Sequence, residues 1–194
     1  MRPAVFLDRD GTLIEDVDYL NSFDQMALFP WTVDALRLAG RAGFLTVVVT
    51  NQSAVGRGIV SEDFVVATHE ELSRRLARGG ASIDAFYFCP HHPDAVIERY
   101  RGACRCRKPE PGMIEDAVRD LDIDLARSWV VGDRWIDVAM GTAAGARSVL
   151  VRTGHAEREH EALPADPSTG VRADAILNNL MEAVGWILRD STSP

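Results

Sequence analysis

A chain of 194 residues, 46% of them hydrophobic, is long and apolar enough to bury the core of one domain spanning 1–194. Its formal net charge of −8 argues against nucleic acid or an anionic membrane as a partner. No apolar run approaches the ~18 residues of a membrane span, and a strand begins almost at Met1 with no secretory pattern before it. The expectation is a cytoplasmic monomer.

Ala4–Leu7 is a wholly apolar run, as suits a strand buried on both faces of a parallel sheet. It ends in Asp8-Arg9-Asp10-Gly11-Thr12. Residues 9–29 form a polar and aromatic excursion. Trp31–Ala42 reads as a helix, with Pro30 near its start and Gly43 at its stop. Phe44–Val49 is a second buried strand, running into Thr50-Asn51-Gln52-Ser53. Ser61 is a good N-cap for a helix to about Arg78, with Glu62 and Asp63 in its first turn. Ile83–Phe88 is a third strand, and 89–109 an irregular loop rich in Cys, His and Pro. A helix runs from Pro111 to about Leu121, a strand over Trp129–Val131, and a helix over Ile136–Ala144 to Gly145. Ser148–Val151 is a fifth strand, 153–172 a mobile surface loop, Ala173–Ile176 a short edge strand and Leu177–Arg189 a closing helix. The tail Asp190–Pro194 is expected to fray.

Strands alternating with helices predict an α/β fold, a doubly wound parallel sheet with right-handed crossovers. In such sheets, ligands bind beyond the carboxyl ends of the strands. Asp8 and Asp10, Thr50, the 89–108 loop and Asp133 all follow strands, so this topology brings them together. The connections after the first and third strands, about 20 residues each, are too short for an inserted cap domain.

Asp8 and Asp10 stand one residue apart, so on an extended backbone their side chains point the same way. Two like charges held that close need a cation, and oxygen ligands suit Mg2+. The convergent set holds three carboxylates (Asp8, Asp10, Asp133), one hydroxyl (Thr50) and one ammonium (Lys108). That is apparatus for a phosphoryl group, whose charge Mg2+ and lysine neutralise. One aspartate can attack phosphorus, and the other can protonate the leaving oxygen and later deprotonate water. Of the 21 basic residues, Lys108 is the single lysine, where a compact point charge does what a guanidinium does not. Near it lie all three cysteines, Cys89, Cys104 and Cys106. In a reducing compartment that clustering favours a metal over disulfides. With His91 or His92 they make a closed tetrahedral site, hence structural Zn2+. His69, His155 and His160 read as surface residues with no role.

Four ordered motifs then resemble those of the haloacid dehalogenase superfamily: Asp8-x-Asp10-Gly11-Thr12, Thr50 after a buried strand, Lys108-Pro109, and Gly132-Asp133-x-x-x-Asp137. Within it, Phe6-Leu7-Asp8-Arg9-Asp10-Gly11-Thr12, Val49-Thr50-Asn51-Gln52-Ser53, Cys89-Pro90-His91-His92-Pro93 and Cys104-Arg105-Cys106-Arg107-Lys108-Pro109 resemble the D-glycero-D-manno-heptose 1,7-bisphosphate phosphatases. Histidinol-phosphate phosphatases share the plan. The resemblance implies Asp8 as nucleophile, Asp10 as general acid/base, and Mg2+ on Asp8, the Asp10 carbonyl and Asp133. It implies Thr50 and Lys108 at the transferring phosphoryl group, and zinc on Cys89, His91, Cys104 and Cys106. Substrate contacts fall to Arg107, to the stretch Asp16-Val17-Asp18-Tyr19 and to Asn51, Gln52 and Ser53. Arg134 stands where these phosphatases often carry lysine, and Asp137 sits behind the ligands rather than among them. Arg105, Arg107 and Arg134 form a basic set that tilts the expected substrate, a small phosphate ester, toward a bisphosphate cleaved at C7, with Arg57 or Arg134 as helpers. The alternatives are a histidinol phosphate, a related seven-carbon sugar or cyclitol phosphate, and a phospho-accepting signalling module without turnover.

Overall fold

Strands β1 (Ala4–Leu7), β2 (Leu45–Asn51), β3 (Ala85–Cys89), β4 (Trp129–Gly132), β5 (Arg147–Val151) and β6 (Ala175–Leu177) form one parallel sheet in the order β3-β2-β1-β4-β5-β6. This computed structural model describes residues 1–154, 165–166 and 169–191. Much of the loop expected over 153–172, with His155 and His160, lies outside the described residues, as does the end of the expected frayed tail. The helices are α1 (Thr32–Arg41), α2 (Ser53–Gly56), α3 (Glu62–Arg78), α4 (Gly112–Leu121), α5 (Trp135–Ala144) and α6 (Leu180–Ser191).

The inner strands are apolar throughout because helices cover both faces, so successive residues feed two cores. Val5, Leu7, Val48, Val131 and Val149 pack with Leu36 and Ala39 of α1, Leu72 and Leu76 of α3, and Ala183 and Ile187 of α6. Ala4, Phe6, Val47, Val49 and Val130 pack with Met113, Ile114 and Ala117 of α4 and Met140 of α5. Each large apolar side chain so buried contributes about 1.5–3 kcal/mol.

The chain order reverses at β1: it winds outward through β2 and β3, then returns to β4 on the other side. Loops leaving β1 and β4 therefore diverge and open a crevice. Register decides what stands there. Thr50 pairs with Phe88 and Asn51 with Cys89, so β2 runs two residues past its expected end and brings Thr50 level with the start of the cysteine loop. The single turn α2 follows at once, an element too short for periodicity to reveal.

Helix boundaries follow their caps. Ser61 Oγ accepts from Phe64 N–H at 3.1 Å, as expected, and Gly145 ends α5 with φ +85°. The closing helix starts at Leu180 rather than Leu177: Leu177 pairs with Val151 in the sheet, and Asn179 Oδ1 caps Glu182 N–H at 3.0 Å. Apart from isolated bridges, residues 8–31 hold only the 3-10 turn Phe23–Gln25 and 90–111 only Glu98–Tyr100, so neither connection carries a cap domain. Among the described residues, no helix is long and apolar enough to cross a membrane.

Candidate active site

β1 ends with Asp8 N–H donating to Val131 O at 3.0 Å, which sets Asp8 over the crevice between β1 and β4. The turn behind it needs glycine. Gly11 has φ +81°, and a Cβ there would lie 2.4 Å from Asp133 Oδ2; one on Gly154 would lie 2.3 Å from the same oxygen. Two backbone segments thus close tightly around Asp133, which is buried. Asp8, Asp133 and Asp137 are all buried and offer carboxylate oxygens within 4.8 Å of one another.

Lys108 answers this charge. Its Nζ lies 2.7 Å from Asp8 Oδ1 and 2.6 Å from Asp137 Oδ1, and the residue is buried. Asn51 at the end of β2 fixes the lysine backbone from both sides: its Oδ1 accepts from Lys108 N–H at 3.1 Å and its Nδ2 donates to Lys108 O at 3.4 Å. Burial alone would pull the ammonium's pKa down, but the carboxylates of Asp137 and Asp8 override it and hold the pKa above the ordinary value. For Asp8, burial pushes the carboxyl up to about 6 against the opposing attraction of Lys108, and Asp137 and Asp10 raise it further. Three carboxylates and one ammonium leave two negative charges, which suits a divalent cation held by oxygen.

Asp10 is held differently. Arg9 Nε and Nη2 donate to its Oδ1 at 3.2 and 3.0 Å, and Nη2 to its Oδ2 at 2.9 Å. Gln52 Nε2 donates to Asp10 Oδ2 at 2.8 Å and to Thr50 Oγ1 at 2.9 Å. Arg9 was not anticipated as a functional residue. A signal was available, since an arginine wedged between two aspartates at the end of a fully buried strand must find a buried carboxylate partner. His69, expected at the surface, is buried, with Nε2 3.5 Å from Arg9 Nη1 and its ring stacked 4.6 Å from Phe86. Burial, aided by the Arg9 charge, lowers its pKa to about 3, so it is neutral.

A cleft of about 380 Å³ brings together Asp8, Asp10, Thr50 and Lys108 with Asp16, Asp18 and Tyr19, with Asn51 and Ser53, and with Arg107 and Arg134. Val17 is exposed and does not line it. Gln52 is buried, and its amide is engaged with Asp10, Thr50 and Arg9. Arg107 Nη1 donates to His91 O at 2.7 Å. Arg134 N–H donates to Asp137 Oδ2 at 3.1 Å. Arg105 turns outward to Glu115 and Asp116 and does not reach the cleft, and Arg57 binds His92 instead. A larger cavity, about 700 Å³, lies elsewhere, between α3 and β3.

The cysteine loop closes on itself. Cys106 Sγ lies 3.1 Å from Cys89 Sγ and 3.3 Å from Cys104 Sγ, and Cys89 and Cys104 are 3.5 Å apart. His91 Nδ1 stands 3.6 and 3.4 Å from Cys89 and Cys106. These are the edges of a small tetrahedron, near the ~3.8 Å expected around an ion with ~2.3 Å bonds to sulfur. His92 is turned away, its Nδ1 accepting from Asp94 N–H at 3.0 Å. The contact with Cys89 lowers the pKa of the Cys106 thiol to about 5, while the same contact raises that of Cys89 and burial raises that of Cys104.

A family described as HAD-hydrolase-like matches residues 105–183. The D-glycero-beta-D-manno-heptose-1,7-bisphosphate 7-phosphatase of Photorhabdus laumondii is 39% identical over 181 residues, 93% of this chain and 92% of that protein. The enzyme of the same name from Escherichia coli K12 is 40% identical, covering 93% and 91%. The crystal structure of D,D-heptose 1,7-bisphosphate phosphatase from B. bronchiseptica, complexed with magnesium and phosphate, superposes with a TM-score of 0.81 at 32% identity, covering 97% of this chain and 99% of that one.

Proposed function

The chain belongs to the heptose-1,7-bisphosphate 7-phosphatase family of the haloacid dehalogenase superfamily and is a phosphoric monoester hydrolase, and from that premise we propose that it removes the C7 phosphate of D-glycero-β-D-manno-heptose 1,7-bisphosphate through an aspartyl-phosphate. The observation that carries this reading is Asp8 lining a cleft, with a buried ammonium 2.7 Å from one oxygen and Asp10 fixed two residues on.

An Asp8 oxygen attacks phosphorus as the bond from phosphorus to the C7 oxygen breaks. Asp10 gives its proton to that leaving oxygen. Asp10 then takes a proton from the water that attacks the phosphoaspartate, which frees inorganic phosphate and restores Asp8. Lys108 and the Thr50 hydroxyl face the charge on the phosphoryl oxygens. Asp8, Asp133 and the Asp10 carbonyl would hold Mg2+, with Asp137 behind them against Lys108. The crowded carboxylates and the glycine turn at Asp133 fit such an ion. When bound, it supplies neutralisation of phosphoryl charge.

Cys89, His91, Cys104 and Cys106 would hold a structural Zn2+. Arg107 and Lys108 follow Cys106 directly, so the zinc loop sets both cations, and the Arg107 tie to His91 O strengthens that coupling. Arg107 is then the outer contact for the C1 phosphate, and Asp16, Asp18 and Tyr19 meet sugar hydroxyls. Histidinol phosphate carries an amine and an imidazole at that end, with no negative charge for Arg107 and Arg134 to pair with. The test compares kcat/KM for the heptose bisphosphate and histidinol phosphate, before and after Arg107→Ala. The reading expects the bisphosphate to be preferred and that preference to shrink in the variant. It fails if histidinol phosphate is the better substrate or if both esters lose equally.

A further inference from the structure

We propose that Arg9 and Gln52 form a clamp that positions the Asp10 carboxylate for proton transfer, with His69 packed behind Arg9 as its backstop. The proposal rests on the reading of Asp10 as general acid/base.

The three side chains close a ring. Arg9 Nη2 bonds both Asp10 oxygens and also donates to Gln52 Oε1 at 2.9 Å. Gln52 returns its Nε2 to Asp10 Oδ2 and to Thr50 Oγ1. The amide has one allowed orientation, because a guanidinium only donates and must face the amide oxygen. Thr50 thereby joins the phosphoryl-binding side of the cleft to the proton-transfer side through a single amide.

Burial is graded along the network. Side-chain exposure is 2% at Arg9 and 23% at Asp10, so the carboxylate is the wet end, and it faces the cleft. His69 lies behind, 3.5 Å from Arg9 Nη1 and packed on Phe86. As a neutral ring it can accept from the guanidinium. Arg9 and His69 do not line that cleft; Arg9 borders only a small adjoining pocket beside Asp10, and His69 touches Arg9, so Arg9 acts through Asp10 and His69 through Arg9. Proton transfer needs the carboxyl within hydrogen-bond reach of the leaving oxygen, and small misplacements are costly. Lysine in place of Arg9 keeps the charge but loses the planar fork that reaches Asp10 and Gln52 together.

The experiment measures kcat/KM for heptose 1,7-bisphosphate and for 4-nitrophenyl phosphate in wild type, Asp10→Asn, Arg9→Lys and Gln52→Met. This parameter reports through departure of the first leaving group. A nitrophenolate needs little protonation, whereas a sugar alkoxide needs much. The Asp10→Asn variant should lower the sugar-to-aryl ratio by roughly 10²–10⁴-fold. The clamp predicts a fall in the same ratio of at least about tenfold in both Arg9→Lys and Gln52→Met. General damage to the fold would lower both esters alike. Gln52→Met removes no charge and carries the test if Arg9→Lys does not fold. Equal loss on both esters, or no loss, in the clamp variants overturns the clamp alone when Asp10→Asn shows its selective loss. Equal loss in Asp10→Asn overturns the general-acid reading and the clamp with it.

Discussion

Replacing Asp8 by asparagine should abolish turnover and yet stabilise the magnesium-free protein. Burial raises the Asp8 carboxyl from 3.8 to about 6 even with Lys108 beside it, so its ionised form is favoured less in the folded chain than in the unfolded one. Between those two values the folded protein binds the extra proton, and stability falls as pH rises through that window. The cost is complete above about pH 6 and amounts to at most about 3 kcal/mol, from ~1.36 kcal/mol per pH unit. Asparagine has the neutral shape and escapes it. In melts without added magnesium at about pH 8, Asp8→Asn should unfold above wild type, by at most roughly 6–12 °C at ~2–4 °C per kcal/mol for a chain of this size. The gap should shrink to about half that near pH 5, because wild-type Asp8 is then largely protonated when folded. Magnesium at about 100 times its Kd should return roughly 2.7 kcal/mol to wild type and almost nothing to the variant. A variant no more stable than wild type at pH 8, or a gap indifferent to pH, would refute the reasoning.

Lys108→Arg should not be tolerated. The ammonium sits between two carboxylates at 2.7 and 2.6 Å with almost no exposure, and a planar guanidinium overfills the site. The expected loss is about 10²-fold or more in kcat, with about 1–3 kcal/mol of stability; an unchanged kcat/KM would show that the lone lysine is incidental. Elemental analysis of protein purified without chelator should find one zinc per chain, and Cys106→Ser should lose it along with more than about 3 kcal/mol of stability in denaturant melts. Its activity should fall as well, because Lys108 stands two residues on. Zinc-free wild type of full stability would contradict the structural role.

The sheet and the main members of the cleft were legible because a buried parallel strand writes itself as an apolar run, and the polar residue after it has one place to go. Asp8, Thr50 and Asp133 were readable in that way, and the cysteine loop through its spacing. Arg9 stands between two aspartates, and nothing next to it in the sequence marks its other partners. Gln52, between β2 and α2, and His69 of α3 arrive from far along the chain, and only packing shows that they meet Arg9. His69 looked like a surface residue because α3 is polar overall, yet it lies on the face toward Phe86. Gln52 reads as a substrate contact beside Asn51 and Ser53, and only its burial against Arg9, Asp10 and Thr50 reveals it as internal. At the carboxyl end, Leu177 fits a helical pattern as well as a strand, and pairing with β5 decides between them. The sequence groups Arg105 with Arg107 and Arg134 as one basic set, but Glu115 and Asp116 of α4 draw Arg105 away from the cleft.

The account turns on which phosphate leaves and from what molecule. Phosphorus NMR of heptose 1,7-bisphosphate incubated with the enzyme and magnesium follows both ester resonances at once. The prediction is loss of the C7 resonance alone, release of one equivalent of inorganic phosphate, and a persistent C1 phosphate. Loss of the C1 resonance, loss of both at equal rates, or an intact bisphosphate under conditions where histidinol phosphate is hydrolysed would contradict it.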